Sequence, residues 1–141
     1  MTLKTALVLG AGGFIGNHMV TSLKESGYFV RGVDIKRNEY SESTADEFIL
    51  YDLTDQSNFY DLLKIENHAF DEIYQFAADM GGAGFIFTGD NDADIMTNSS
   101  LININLLNFQ RKLNENLSIN KTKIFYSSSA CIYPEFNQLD P

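Results

Sequence analysis

The chain has 141 residues, 44% hydrophobic and 21% charged, with a formal net charge of -9 at pH 7, a balance that suits one soluble globular domain with one core. The acidic surplus opposes nucleic acid and anionic lipid as partners, and no apolar stretch reaches the ~20 residues of a membrane span. The one cysteine, Cys131, excludes an internal disulfide and a multi-cysteine zinc site; a first strand beginning at Leu3 leaves no room for a signal peptide, so a cytoplasmic setting is expected.

Short apolar runs alternate with amphipathic stretches along the chain. Leu3–Leu9 reads as a first strand. Phe14–Ser26 reads as a helix with Ile15, Met19, Val20 and Leu23 near one face, closed by Gly27. Tyr28–Asp34 is a second strand, residues 35–45 are polar and loop-like, and Glu47–Tyr51 is a third strand. Thr54 or Asp55 is expected to cap a helix running to about Ile65 through Phe59, Leu62 and Leu63. Glu72–Ala77 is a fourth strand and Met80–Asp94 a loop rich in Gly and Asp. A long helix spans roughly Ile95–Asn116, with Leu101, Ile104, Leu107 and Leu113 among its apolar positions. Lys123–Ser128 is a fifth strand. Strands separated by helices predict an α/β, Rossmann-type doubly wound parallel sheet of order 3-2-1-4-5.

Ligands in such sheets bind beyond the carboxyl ends of the strands, and the unusual residues collect there. Gly10-Ala11-Gly12-Gly13-Phe14-Ile15-Gly16 follows the first strand directly. Gly10 allows a turn that a β-carbon would hinder, Gly13 lets backbone approach a phosphate, and Gly16 lets the helix pack close to the strand. The first free N–H groups of that helix then face the anion. The spacing is G-x-x-G-x-x-G, and Gly12 makes a partial overlap with the commoner G-x-G-x-x-G. Asp34 ends the second strand, where a carboxylate can accept both ribose hydroxyls of an adenosine and repel a 2′-phosphate. NAD is therefore expected over NADP, although Lys36 and Arg37 follow closely and could tolerate a phosphate.

Asp52-Leu53 after strand three can reach an adenine amino group or cap the next helix, two readings of equal standing. Ala77-Ala78-Asp79-Met80-Gly81-Gly82 after strand four offers small residues against which a flat cofactor can lie. After strand five, Ser127-Ser128-Ser129-Ala130-Cys131 supplies hydroxyls for a sugar and a thiol that is either a buried core group or a proton carrier. His18 and His68 lack a companion at metal-ligand spacing, so no metal is expected. Tyr60 and Lys64 form a Tyr-x-x-x-Lys pair on the predicted second helix.

Taken together, the glycine loop, Asp34, Ala77-Ala78 and the serine run resemble the extended short-chain dehydrogenase/reductase superfamily of NAD-dependent epimerases and dehydratases. Two stretches are similar to its GDP-mannose 3,5-epimerase branch: Ala77–Gly82 with Gly84-Phe85-Ile86, and Ser128–Phe136. Asp34 with Lys36, Asn38 and Glu39 adds to this. The resemblance implies that Gly10, Gly13, Phe14, Ile15, Gly16, Asp34, Asp52, Leu53, Ala77, Ala78 and Asn98 hold NAD. It further implies that Gly81, Ser129, Ala130 and Cys131 meet a GDP-mannose-like nucleotide sugar, with Ser129 and Cys131 catalytic. The implied reaction is transient oxidation at C4, proton exchange at C3 and C5, and re-reduction. The alternatives are a dehydratase or 4-epimerase and a non-catalytic dinucleotide-binding module. A homodimer through residues 95–116 is also implied. The family's own Tyr-x-x-x-Lys pair belongs well downstream of the serine run. Residues 1–141 are thus expected to be an amino-terminal NAD-binding domain without the later strands or the substrate domain, inactive alone.

Overall fold

A computed structural model describes residues 3–81, 85, 88–117 and 122–128. Five parallel strands form one sheet: β1 (Thr5–Leu9), β2 (Phe29–Asp34), β3 (Glu47–Leu50), β6 (Glu72–Gln75) and β7 (Lys123–Tyr126), in the order β3-β2-β1-β6-β7. This is the expected doubly wound order. The two-residue strands β4 (Lys64–Ile65) and β5 (His68–Ala69) pair as a separate antiparallel hairpin. The helices are α1 (Phe14–Glu25), α2 (Phe59–Leu62) and α3 (Asp92–Leu117). Among the described residues no helix is long and apolar enough to cross a membrane.

The central strand explains the two-layered core. Residues Ala6 to Leu9 are all fully buried, as expected of a parallel strand covered on both faces. Leu7 and Leu9 point to the face shared with Leu53, Phe59, Leu63, Phe70, Ile73, Ile102, Leu106 and Leu113. Ala6 and Val8 point to the other, with Ala11, Val20, Leu23 and Val30. The small side chains on that second face let α1 lie close to the sheet.

Three expectations need correction. The helix expected from Thr54 or Asp55 to Ile65 is only Phe59–Leu62. Asp52 Oδ1 accepts the Thr54 N–H at 2.9 Å and hydroxyl at 2.7 Å, and Asp55 repeats the pattern on Ser57. Two successive Asx turns thus occupy the residues meant to start the helix. At the other end, the buried Arg31 guanidinium donates to the Leu62 and Lys64 carbonyls at 3.1 and 2.7 Å and pairs with Glu47 at 2.6 Å. It terminates the helix, and the hairpin begins. The apolar face of α1 excludes Ile15, which is 62% exposed. On α3 the buried residues are Ile102, Asn105, Leu106, Gln110 and Leu113, while Ile104 and Leu107 face outward. Two amides take positions that apolar periodicity assigns to hydrocarbon.

Candidate functional site

The carboxyl edge of the sheet brings the glycine loop, Asp34, Asp52 and the Ala77–Gly81 segment to one side of the molecule. Gly10 has φ of 84°, the left-handed region in which a β-carbon is strained. A β-carbon there would also stand 2.7 Å from the Ala77 nitrogen. One at Gly16 would run into the Gly10 carbonyl, and one at Gly12 into the Lys36 carbonyl. These three glycines are demanded by the protein's own backbone. Gly13 differs: a β-carbon would meet only the Gly10 oxygen, at 3.4 Å, so its outer side is open.

Gly13 is also the N-cap of α1 and offers no side-chain cap. Among the described residues the N–H groups of Phe14, Ile15 and Gly16 have no protein acceptor, while that of Asn17 bonds the Gly13 carbonyl at 3.0 Å. Free donors, the positive end of a helix dipole and an open glycine fit a diphosphate. Phe14 and Ile15 are 73% and 62% exposed at the same lip.

Asp34 stands beside this loop. One carboxylate oxygen accepts the Gly12 N–H at 2.9 Å and the other the Lys36 N–H at 3.2 Å. Each oxygen keeps lone pairs for a further donor. The neighbouring cations are engaged elsewhere. Lys36 pairs with Glu39 at 2.8 Å, a hydrogen bond that raises the lysine pKa and lowers that of the glutamate. Arg37 lies over the Phe48 ring at 5.2 Å. Asn38 ties the region together: its amide donates to the Gly12 carbonyl at 3.2 Å, and its oxygen accepts the Tyr40 and Ser41 N–H groups.

Asp52 caps the turn at Thr54 and is exposed; Leu53 buries its side chain, and its carbonyl accepts Asn105 Nδ2 at 3.1 Å. Ala77 is half-buried and Ala78 exposed. Asn98, on α3, donates to Asp79 Oδ2 at 2.8 Å, and the Asp79 N–H donates to Ser99 Oγ at 3.1 Å. Gly81 is exposed, and a β-carbon on it would lie 2.6 Å from the Phe85 side chain. The catalytic expectations on Ser129 and Cys131, and the substrate contact at Ala130, lie outside the described residues.

Tyr60 and Lys64 are not together on a helix. Lys64 is on β4, with its ammonium 5.0 Å from the Tyr60 ring centroid. The Tyr60 hydroxyl accepts from Asn116, which lies 18 residues beyond Asn98 on α3, or about 27 Å along the helix. The pair therefore sits at the far end of α3 from the Asp79 contact.

Three residues here escaped motif reasoning. Motif spacing gives Gly12 only as a partial overlap; its need for glycine comes from the Lys36 carbonyl, a contact that no local pattern carries. Asp79 and Gln75 were not singled out as site residues. Gln75 has one available signal, a long amide two residues after Ile73 and so on the same buried face of the strand.

Comparison with known proteins adds identity to geometry. The model of the NAD dependent epimerase/dehydratase family matches residues 6–141. GDP-mannose 3,5-epimerase 1 of Oryza sativa subsp. indica is 43% identical over 136 residues, covering 94% of this chain and 32% of that protein. GDP-mannose 3,5-epimerase of Arabidopsis thaliana is 42% identical over 136 residues, covering 94% of this chain and 33% of that protein. The chain thus spans about a third of the length of these curated relatives. A crystal structure of UDP-glucose 4-epimerase superposes with a TM-score of 0.72 at 25% identity, covering 94% of this chain and 37% of that one.

Proposed function

Because the chain belongs to the NAD dependent epimerase/dehydratase family, we propose that residues 1–141 are the NAD-binding part of a nucleotide-sugar epimerase of the GDP-mannose 3,5-epimerase kind. The observation that carries this reading is the 43% identity along 94% of the chain. In this reading the N–H groups of Phe14, Ile15 and Gly16 hold the diphosphate over the open side of Gly13. Asp34 takes the adenosine ribose, and engagement of Lys36 and Arg37 elsewhere supports NAD over NADP. Asp52 and Leu53 border the adenine; Leu53, with its side chain in the core, can do so only through backbone. Ala77 and Ala78 form the wall across the strand-order reversal from the glycine loop, with Asn98 bracing it through Asp79.

NAD, when bound, supplies the acceptor and later the donor of the C4 hydride. Ser129 orients the C4 hydroxyl by a hydrogen bond. Cys131 moves a proton on one face of the sugar at C3 or C5, and Gly81 and Ala130 leave room for the sugar nucleotide. One cysteine in the sequence supports a reducing, cytoplasmic setting. Exposed Met96, Ile104 and Leu107 along α3 support a homodimer through that helix. With Tyr60 and Lys64 at the far end of α3, the isolated 1–141 chain binds NAD but turns over no sugar.

The test uses the longest natural form that carries this segment, incubated with GDP-mannose and NAD in D2O. Mass spectrometry is expected to find deuterium at C3 or C5, abolished by Cys131→Ala. Inversion at C4 without deuterium uptake would move the reading to a 4-epimerase, the activity named for the UDP-glucose structure. NAD binding with no turnover of any nucleotide sugar would leave a non-catalytic module.

A further inference from the structure

The end of β6 poses a backbone problem that one side chain solves. Beyond Gln75 the strand leaves the ladder, because β6 pairs with β7 only as far as Gln75 and Tyr126. Ala77 then carries an N–H and a carbonyl without backbone partners among the described residues, in a half-buried position where unpaired polar groups are costly. The Gln75 carboxamide takes both. Its oxygen accepts the Ala77 N–H at 3.1 Å and its nitrogen donates to the Ala77 carbonyl at 2.8 Å. The second hydrogen of that nitrogen goes to Asn103 Oδ1 on α3 at 3.0 Å.

Gln75 is 1% exposed, so this amide belongs to the interior. Its anchor is itself held: Asn103 donates to the Ser99 carbonyl at 2.8 Å, and Ser99 Oγ accepts the Asp79 N–H. Thus α3 grips the Ala77–Asp79 segment at both ends. The segment in turn abuts the glycine loop, since the Ala77 nitrogen occupies the space a Gly10 β-carbon would need. The separation of the two walls is set by backbone contact at Gly10 and by the amide behind Ala77.

We propose that Gln75 is a positioning residue for the half of the dinucleotide site that lies on the β6 side of the strand-order reversal. A dinucleotide crosses the sheet at that reversal. The glycine loop and Asp34 serve its adenosine diphosphate half, and the Ala77–Asp79 wall serves the other. Gln75 touches no ligand; it acts through the height and orientation of that wall. The inference rests on the NAD-binding reading above.

The experiment measures dissociation constants for NAD and for ADP, by calorimetry, on the 141-residue chain and its variants. Gln75→Met removes all three hydrogen bonds, and Gln75→Glu puts an oxygen against two acceptors. Each is expected to weaken NAD about tenfold, the worth of a lost buried hydrogen bond, while ADP stays within about twofold. A merely structural role would weaken both ligands in step with stability, and that result, or an unchanged NAD constant, overturns the proposal. Should the Gln75 variants fail to fold, Asn103→Ala removes the anchor from a half-buried position. It is expected to give the same split at about threefold; parallel losses or no loss would again overturn it. Failure of the unmodified chain to bind NAD would sink the underlying reading, an outcome distinct from binding without the split.

Discussion

The two halves of the sheet edge are built by different means. On the β1-β2 side the geometry is made by missing side chains: Gly10, Gly12 and Gly16 are each pressed against backbone that a β-carbon would hit. On the β6-β7 side it is made by added ones: the Gln75 carboxamide takes the Ala77 N–H and carbonyl, Asn103 anchors that carboxamide, and Asn98 donates to the Asp79 carboxylate. The first device is rigid because backbone cannot yield. The second depends on every donor finding its acceptor, since a half-satisfied buried network costs more than an apolar one.

The largest effect is expected where the first device is attacked. Gly16→Val pushes α1 off the Gly10 carbonyl, costs about 3 kcal/mol in urea denaturation and abolishes NAD binding. A variant that folds and binds like the parent would show that the loop can open, and the contrast between the halves would fall. Next comes Asn105→Leu, which removes an amide of the second kind, one that reaches from α3 to the loop after β3. Asn105 is 1% exposed, donates to the Leu53 and Thr54 carbonyls at 3.1 Å each and accepts from Gln56 at 2.9 Å. Leaving those groups unpaired is expected to cost about 2 kcal/mol. A neutral result by thermal and urea unfolding would mean that the amides fill space and little more.

The smallest effect sharpens the comparison at the outer strand of the first half. Burial disfavours the charged form of Asp46, but Lys24 Nζ at 2.8 Å and the Val30 N–H at 2.7 Å outweigh it and hold its pKa below the ordinary value. A depressed carboxyl pKa stabilises the fold above the unfolded value near ~4 and loses that contribution as pH falls through the folded value. The stability difference between the parent and Asp46→Asn is therefore expected to be flat above about pH 5, below about 1 kcal/mol, and to shrink under about pH 4. A difference that persists unchanged in acid would assign the effect to shape.

Legibility followed the same division. Sheet order, the glycine loop and Asp34 could be read from the chain because glycine spacing and continuous apolar runs are local signals. Strand ends came within a residue or two. What could not be read was long-range polar pairing. The arrest of α2 depends on Arg31, about thirty residues earlier in sequence, meeting the Leu62 and Lys64 carbonyls. The buried face of α3 depends on Asn105 and Gln110, which hydropathy places outside. Ile15 reads as core because it stands four residues before Met19, but the buried face of α1 is Gly16, Asn17, Val20 and Leu23, which leaves position 15 on the exposed flank.

The abutment of Gly10 on Ala77 bears on how such a site can change over generations. Where main chain rests on main chain, no exchange of side chains at the contact itself can alter the gap by small steps, and only the amide of Gln75 behind it is left to adjust. Drift in ligand preference is then channelled into what projects from the rim, at positions such as 14, 15 and 36 to 39. The seam itself must pass through descent intact or be lost at once.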